Sequence, residues 1–140
     1  PAGLQLSLCS AALRGVRVCL MIPARGDSLL TQRASDSYLT QLLQAGVEVR
    51  RYAGGFLHSK ILVVDRQFVG IGSANMDFRS LEINLEVMAF VYDEQKARVL
   101  GKTFDEDLTA CYQLSLDEWS QRSLWRRILE AIARLFSPLL

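Results

Sequence analysis

The spacing of apolar residues along the chain switches between two periods, and each period predicts one kind of element. Apolar residues recur every three or four positions in two segments, which we predict as helices at about 4–13 and 31–45. Short apolar or alternating runs bounded by turn residues are typical of strands. We predict strands at 16–22, 47–52, 56–65, 68–72 and 85–92, with a polar loop at 24–28.

The last third of the chain has helical spacing throughout. Asp93 is a predicted N-cap, and the helix that follows would share one apolar face among Ala97, Leu100, Phe104, Leu108 and Cys111. A capping box at 115–118 opens the last predicted element, which continues as a helix to Phe136 and ends near Pro138. Strands that alternate with helices indicate a layered α/β fold.

Composition narrows the class of function only a little. The chain has 140 residues, half of them apolar, so a core can form. The net charge of +1 points to neither a nucleic-acid nor a membrane partner and leaves the partner open. The three cysteines are widely spaced and only one histidine is present, so we do not expect a structural zinc site. We also expect no cofactor. The first residue is Pro1, and we expect the chain to be part of a longer protein.

One segment combines several polar residue types that a core strand does not need. It contains His58, Lys60 and Asp65, followed by Gly72-Ser73-Ala74-Asn75, a pattern written H-x-K-x4-D-x6-G-S-x-N. His58 and Lys60 lie two apart on a predicted strand and would project from the same face. The imidazole can bond to phosphorus or protonate a leaving oxygen, while Lys60 offsets negative charge, which suits reaction at a phosphodiester.

Three further residues complete the candidate site. Ser73 and Asn75 would supply donors for a phosphate, and Gly72 would let the backbone approach a ligand. Glu86 on the next predicted strand could accept a ring N–H of His58 and fix its tautomer. A single histidine on an apolar strand is more often a hydrogen-bonded core residue, but the joint pattern favours a catalytic site.

This joint pattern resembles the HKD motif of the phospholipase D superfamily, which is matched at His58, Lys60, Asp65, Gly72, Ser73 and Asn75. The resemblance implies a mixed sheet flanked by helices, which would be one of two pseudo-symmetric halves. The two motifs of such halves meet at a metal-free site. One histidine there becomes phosphorylated and the other transfers protons, the role implied more readily for His58. Lysine and asparagine side chains bind the phosphate. The resemblance places Asp65 in the catalytic motif, although its position at a strand end favours a turn or a salt bridge.

Flanking segments resemble one branch of that superfamily, the bacterial cardiolipin synthases, at 12–18, 38–47, 75–80, 84–87 and 134–140. Residues 1–140 would then be the second, C-terminal phospholipase-D-like domain, with 115–140 as an amphipathic helix and tail. The implied reaction is phosphatidyl transfer to phosphatidylglycerol through a phosphohistidine, with phosphatidylethanolamine as another possible donor. The implied location is the bacterial cell membrane, with the catalytic domain on the cytoplasmic side and no nucleic-acid partner.

The single histidine leaves the first HKD motif outside this chain. We therefore expect the partner to be a missing N-terminal HKD domain or a second copy, and the chain alone to be inactive. The alternative is a single-HKD phosphodiesterase or nuclease that is active as a homodimer. The nearly balanced net charge counts against a nuclease, which would favour a basic groove.

The predicted C-terminal helix is both apolar and basic, with four arginines against one glutamate between residues 119 and 136. Together with Trp119 and Trp125, these arginines are consistent with an interfacial membrane contact. The alternative is a helix that packs on the sheet by its apolar side and leaves its arginines in solvent. Globular helices usually do this, so the pattern favours that alternative, although a lipid substrate would favour a membrane partner.

Overall fold

The structure is a computed structural model that describes residues 2–26 and 28–136. These residues form helices and strands in the following order: α1 (Ala2–Leu13), β1 (Cys19–Pro23), α2 (Leu29–Gln44), β2 (Glu48–Tyr52), β3 (Ile61–Val64), β4 (Phe68–Gly72), α3 (Phe78–Glu82), β5 (Met88–Val91), α4 (Glu94–Leu108), β6 (Cys111–Gln113), α5 (Leu116–Ser120) and α6 (Leu124–Leu135).

The strands form two small sheets flanked by helices. In the first sheet, of order β1-β2-β6, β2 pairs in parallel with β1 and antiparallel with β6. The second sheet, of order β3-β4-β5, is antiparallel throughout. The predicted α/β class is confirmed, and the first of the two sheets is mixed.

The principal core lies between α2 and the first sheet. Its buried members are Leu39, Leu42, Leu43, Val47, Val49 and Trp119. Each such side chain contributes about 1.5–3 kcal/mol by leaving water. The indole of Trp119 donates to the Thr40 hydroxyl at 3.2 Å, which ties α5 to α2.

A group of charged side chains, buried except for Arg126 at its edge, fastens the C-terminal helices to this core. We call Asp36, Arg51, Arg122, Arg126 and Glu130 the ion cluster. Arg51 binds Asp36, Arg122 Nη1 lies 2.5 Å from Glu130 Oε2, and Arg126 contacts both carboxylates at 3.4 and 3.2 Å. The guanidinium of Arg122 also stacks 3.6 Å above the Trp119 ring, and burial lowers the pKa of Arg122. The cluster therefore pairs charges that would be costly to bury alone.

Local signals placed several helix ends correctly. Asp93 accepts from the Lys96 N–H at 3.0 Å, which confirms the predicted N-cap and lowers the pKa of Asp93. Ser115 accepts from the Glu118 N–H at 3.1 Å, as the capping box predicts. Gly46, just after α2, has a φ of +88°, a value that glycine adopts readily.

Two predicted elements are shorter than the sequence pattern indicates. The strand predicted at 56–65 covers only Ile61–Val64, because β4 ends at Gly72 and gives earlier residues no partner. The continuous helix predicted from 119 to 136 is broken. Gln121 caps α5, and the Ser123 hydroxyl accepts from the Arg126 N–H to begin α6. The predicted stop at Pro138 lies outside the described residues.

The other differences concern very short elements. Cys111 was predicted on the apolar face of α4, but that helix ends at Leu108 and Cys111 lies in β6. Neither β6, with three residues, nor α3, with five, was predicted. Elements of this length hold less than two full periods of apolar spacing, so pairing and capping define them instead.

Candidate active site

The β3–β4 hairpin sets the geometry of the candidate site. Ile61 pairs with Ile71, and the Gly72 N–H donates to the Lys60 carbonyl at 3.2 Å, so Lys60 and Gly72 lie opposite each other at the open end. A Cβ on residue 72 would lie 2.1 Å from the Val87 carbonyl oxygen. Glycine is therefore required where β5 crosses closely. The backbone of Gly72 does make a close approach, as predicted, and its neighbour is the Val87 main chain just before β5.

Ser73 and Glu86 meet at this end of the second sheet. The Ser73 hydroxyl donates to Glu86 Oε2 at 2.5 Å, and the Val87 N–H donates to the same hydroxyl at 3.0 Å. Hydrogen bonds from Ser73 and then Ser80 hold the pKa of Glu86 below its ordinary value, and the charge of Lys60 acts in the same direction. Glu86 is therefore ionised at neutral pH.

His58 lies in the irregular segment before β3, where its ring is exposed and stacks on Phe56 with centroids 5.5 Å apart. The prediction that His58 and Lys60 lie together on a strand is wrong, because residues 56–60 are irregular. The Lys60 carbonyl accepts from the Gly72 N–H, but the strand pairing with β4 starts at Ile61. Instead, Lys60 Nζ turns back and donates to the His58 carbonyl at 2.7 Å. This bond still places a positive charge beside the histidine.

Asn75 lies in the loop between β4 and α3, and it is exposed. The loop is fixed immediately afterwards, because the Asp77 side chain caps α3 and accepts from the Ser80 N–H at 2.7 Å. Ser80 also contributes to the lowered pKa of Glu86. The G-S-x-N segment is thus held at both ends, by Gly72 against β5 and by Asp77 at the start of α3.

Asp65 lies at the opposite end of the hairpin. It sits with Arg66 at positive φ, 51° and 55°, in a turn closed by the Gln67 N–H and the Val64 carbonyl at 3.0 Å. Asp65 lies five positions after Lys60, and a strand rises about 3.3 Å per residue, so their Cα atoms are about 16 Å apart. This position favours the turn role over a role in catalysis.

Two contacts of the site were not predicted. The Phe56 ring beneath His58 carried no signal beyond its place in an apolar run. Ser73 was predicted to donate a hydrogen bond to a phosphate, but in the structure its hydroxyl donates to Glu86. The predicted hydrogen bond between Glu86 and His58 does not occur among the described residues. Within that same part of the chain, no group of three or more His, Cys, Asp or Glu residues is placed to hold a metal ion.

The arrangement as a whole is that of a phospholipase-D-like domain. The structure matches a crystal structure titled as a phospholipase D family member, Nuc, from Salmonella typhimurium, with a TM-score of 0.73. The match covers 80% of this chain and 73% of the other at 22% identity, so it shows the fold.

Sequence comparison defines the family more narrowly. Residues 4–108 match the family described as "Cardiolipin synthase, PLD-like domain", and the chain belongs to that family. It is 42% identical over 139 residues to a cardiolipin synthase of Listeria monocytogenes, and 45% identical over 130 residues to cardiolipin synthase 2 of Bacillus anthracis. These matches cover 99% and 93% of this chain but only 29% and 25% of the relatives' lengths.

Proposed function

We propose that this chain is the second, C-terminal phospholipase-D-like domain of a cardiolipin synthase and contributes one HKD half-site to phosphatidyl transfer. The observation that carries the proposal is the family match over residues 4–108, which includes every residue of the H-x-K-x4-D-x6-G-S-x-N pattern. The other half-site would come from an N-terminal HKD domain. Because the chain spans less than a third of its relatives, it would be inactive alone.

His58 would transfer protons in both halves of the reaction. The histidine of the complementary motif forms a P–N bond to the phosphatidyl donor, and the bond from phosphorus to the leaving alcohol breaks. His58 gives its proton to that oxygen. It then takes the proton of a phosphatidylglycerol hydroxyl, whose oxygen bonds to phosphorus as the P–N bond breaks. Cardiolipin and the donor's alcohol are the products.

The neighbouring side chains would divide the remaining tasks. Lys60, beside His58, and Asn75, exposed in its loop, would bind the non-bridging phosphate oxygens. Ser73 would mainly hold Glu86, since its hydroxyl already donates there. Glu86 is ionised and close to this end of the sheet, which supports the proposal that it accepts a ring N–H of His58.

The substrates would be phosphatidylglycerol as acceptor, and phosphatidylglycerol or phosphatidylethanolamine as donor. This assignment rests on the relatives' name, cardiolipin synthase. A reaction between two phospholipids would take place at the bacterial cell membrane, and we propose the cytoplasmic side for the catalytic domain.

A chimera tests the proposal. This chain replaces the matching 139 residues of the Listeria relative, and cardiolipin formed from phosphatidylglycerol in detergent micelles is measured. We expect the chimera to be active and His58→Ala to lose at least about a hundredfold, as removal of a proton-transfer group does. The exposed Arg14→Gln variant is the matched control and should keep its activity.

Two results would contradict the proposal. One is a chimera whose cardiolipin formation does not depend on His58. The other is a 140-residue chain that light scattering shows to be a dimer and that cleaves phosphodiesters in the presence of a chelator. Such a dimer would mean that two His58 side chains build a complete site.

A further inference from the structure

Helix α6 is packed the opposite way round from an ordinary surface helix. Its apolar side chains lie in solvent: Leu124 is 69% exposed, Trp125 76% and Leu135 77%. Its buried residues are Glu130, at 3%, and Ala133, at 2%. Helical spacing places Ile128, Leu129 and Ile132 on the same open side, where each is at least 40% exposed. The interpretation that the sequence pattern favoured, an apolar side packed on the sheet, is wrong.

The ion cluster fixes this orientation. Glu130 is held by Arg122 at 2.5 Å and by Arg126 at 3.2 Å, and Arg126 also reaches Asp36 on α2. Turning the apolar side inward would remove Glu130 from both arginines and leave buried charges unpaired. The exposed apolar face of α6 is therefore held in place by charges rather than left over from loose packing.

Positive charge lies along one edge of this face. Arg127 and Arg134 line an open cleft of about 680 Å³ between α2 and α6, and the Arg134 guanidinium lies 4.5 Å from the Tyr38 ring centroid. Leu135, on the apolar face, lines the same cleft. A ligand here would meet arginines on one side and apolar surface on the other, which fits a phospholipid headgroup above its acyl chains.

We propose that α6 docks the domain on the surface of an anionic phospholipid bilayer. The apolar face would enter the boundary between headgroups and acyl chains, and Arg127 and Arg134 would meet headgroup phosphates. The helix has 12 residues, or about 18 Å, and would lie in the plane of the surface. No helix in the described part of the chain is long and apolar enough to cross a membrane.

The size of the face argues against a second copy as its main partner. A helix about 18 Å long and about 10 Å wide covers roughly 200 Å². Stable protein interfaces bury about 800 Å² on each side, several times more. A bilayer has no such minimum, because apolar burial and attraction between arginines and anionic lipids add together.

The test is flotation with lipid vesicles. The chain carries His58→Ala so that no lipid is turned over, and its binding to phosphatidylglycerol vesicles is compared with binding to phosphatidylcholine vesicles. We expect at least a tenfold preference for the anionic vesicles, which added salt reduces. Trp125→Ser with Leu129→Ser should lower binding at least tenfold, and Arg127→Gln about fivefold.

Matched controls alter similar residues elsewhere. Val99→Ser removes an apolar side chain that is 60% exposed on α4, and Arg14→Gln removes a surface charge. Neither should change flotation by more than about twofold, a limit set at the size of ordinary surface effects. Circular dichroism of every variant shows whether the fold is kept, which we expect since the substituted side chains are exposed.

Three outcomes would overturn the proposal. The first is that the Trp125 and Leu129 double variant binds vesicles as well as the parent chain does. The second is that both controls lose as much binding as the double variant. The third is a dimer that the double variant turns into a monomer, without any vesicle binding, which would assign the face to a second copy. The proposal rests on a lipid substrate, but the micelle assay of the chimera needs no bilayer, so either idea can fail while the other stands.

Discussion

The open end of the β3–β4 hairpin and the packing face of α6 both depend on polar contacts, yet they relate to the sequence in opposite ways. At the hairpin, the contacting residues come from one stretch between His58 and Glu86, and the spacing of their types is informative. In α6, Arg126 binds Asp36, which lies 90 positions earlier in the chain, and Arg126 also binds Glu130. The comparison teaches that polar residues grouped in a local sequence pattern indicate a catalytic site. Partners far away in the sequence can instead decide which side of a helix is buried, and the helix sequence alone does not show this.

The largest expected effect comes from breaking the ion cluster. Glu130→Ala would leave Arg122 buried without its carboxylate, and we expect a loss of about 3–5 kcal/mol in the free energy of unfolding. Urea denaturation measures the change. Glu106→Ala is the matched control, because Glu106 forms only an exposed pair with Lys102 at 3.7 Å and should change stability by under about 0.5 kcal/mol. Similar losses for both variants would show that the cluster does not hold α6.

The hairpin is expected to be sensitive at Gly72. Alanine there would press its Cβ onto the Val87 carbonyl and separate β4 from β5, at a cost of about 1–3 kcal/mol. At Gly3, in α1, an added Cβ meets nothing within 4 Å, so Gly3→Ala should instead stabilise the protein by about 0.5–1 kcal/mol. Thermal unfolding of the two variants tests whether their effects have opposite signs.

Sequence patterns predicted those features whose cause is local. The turn before β4, the Asp93 cap and the strand Phe68–Gly72 each follow from a few adjacent residues. The irregular segment at His58 could not be predicted, because a strand pattern does not show where the partner strand ends. The orientation of α6 could not be predicted either. A single acidic residue, Asp36, at core spacing in α2 was the available sign of a buried charge.

A smaller effect is expected at a contact that the sequence did predict. Asp93→Ala removes the acceptor for the Lys96 N–H at the start of α4, and N-cap losses cost about 1 kcal/mol. Asp107→Ala is the control, since that residue lies near the other end of the helix, where an acidic side chain is not favoured by the dipole. Chemical denaturation should show a loss for the first variant and none for the second. Equal losses would mean that the cap is not specific.

The smallest effect concerns the charge of Glu86, and it tests directly which groups of the candidate site form hydrogen bonds with this carboxylate. Folding lowers the pKa of Glu86, chiefly through the Ser73 hydroxyl, so its ionised form stabilises the folded state above the ordinary glutamate value of about 4.3. That contribution disappears as the pH falls through the lower, folded-state pKa. Ser73→Ala should move the pKa of Glu86 back up toward the ordinary value. Carbon NMR of the side-chain carboxyl measures this shift.

Glu48 supplies an internal reference in the same titration. Glu48 lies in β2 of the first sheet, and its pKa is also lowered, but by a hydrogen bond from Arg17, so Ser73→Ala should leave it unchanged. If Glu86 keeps its low pKa in the variant, the positive charge of Lys60 or another donor must hold the carboxylate instead. Glu86 would then be available to His58 without help from Ser73, and Ser73 would be free to bind phosphate, as the motif alone predicts.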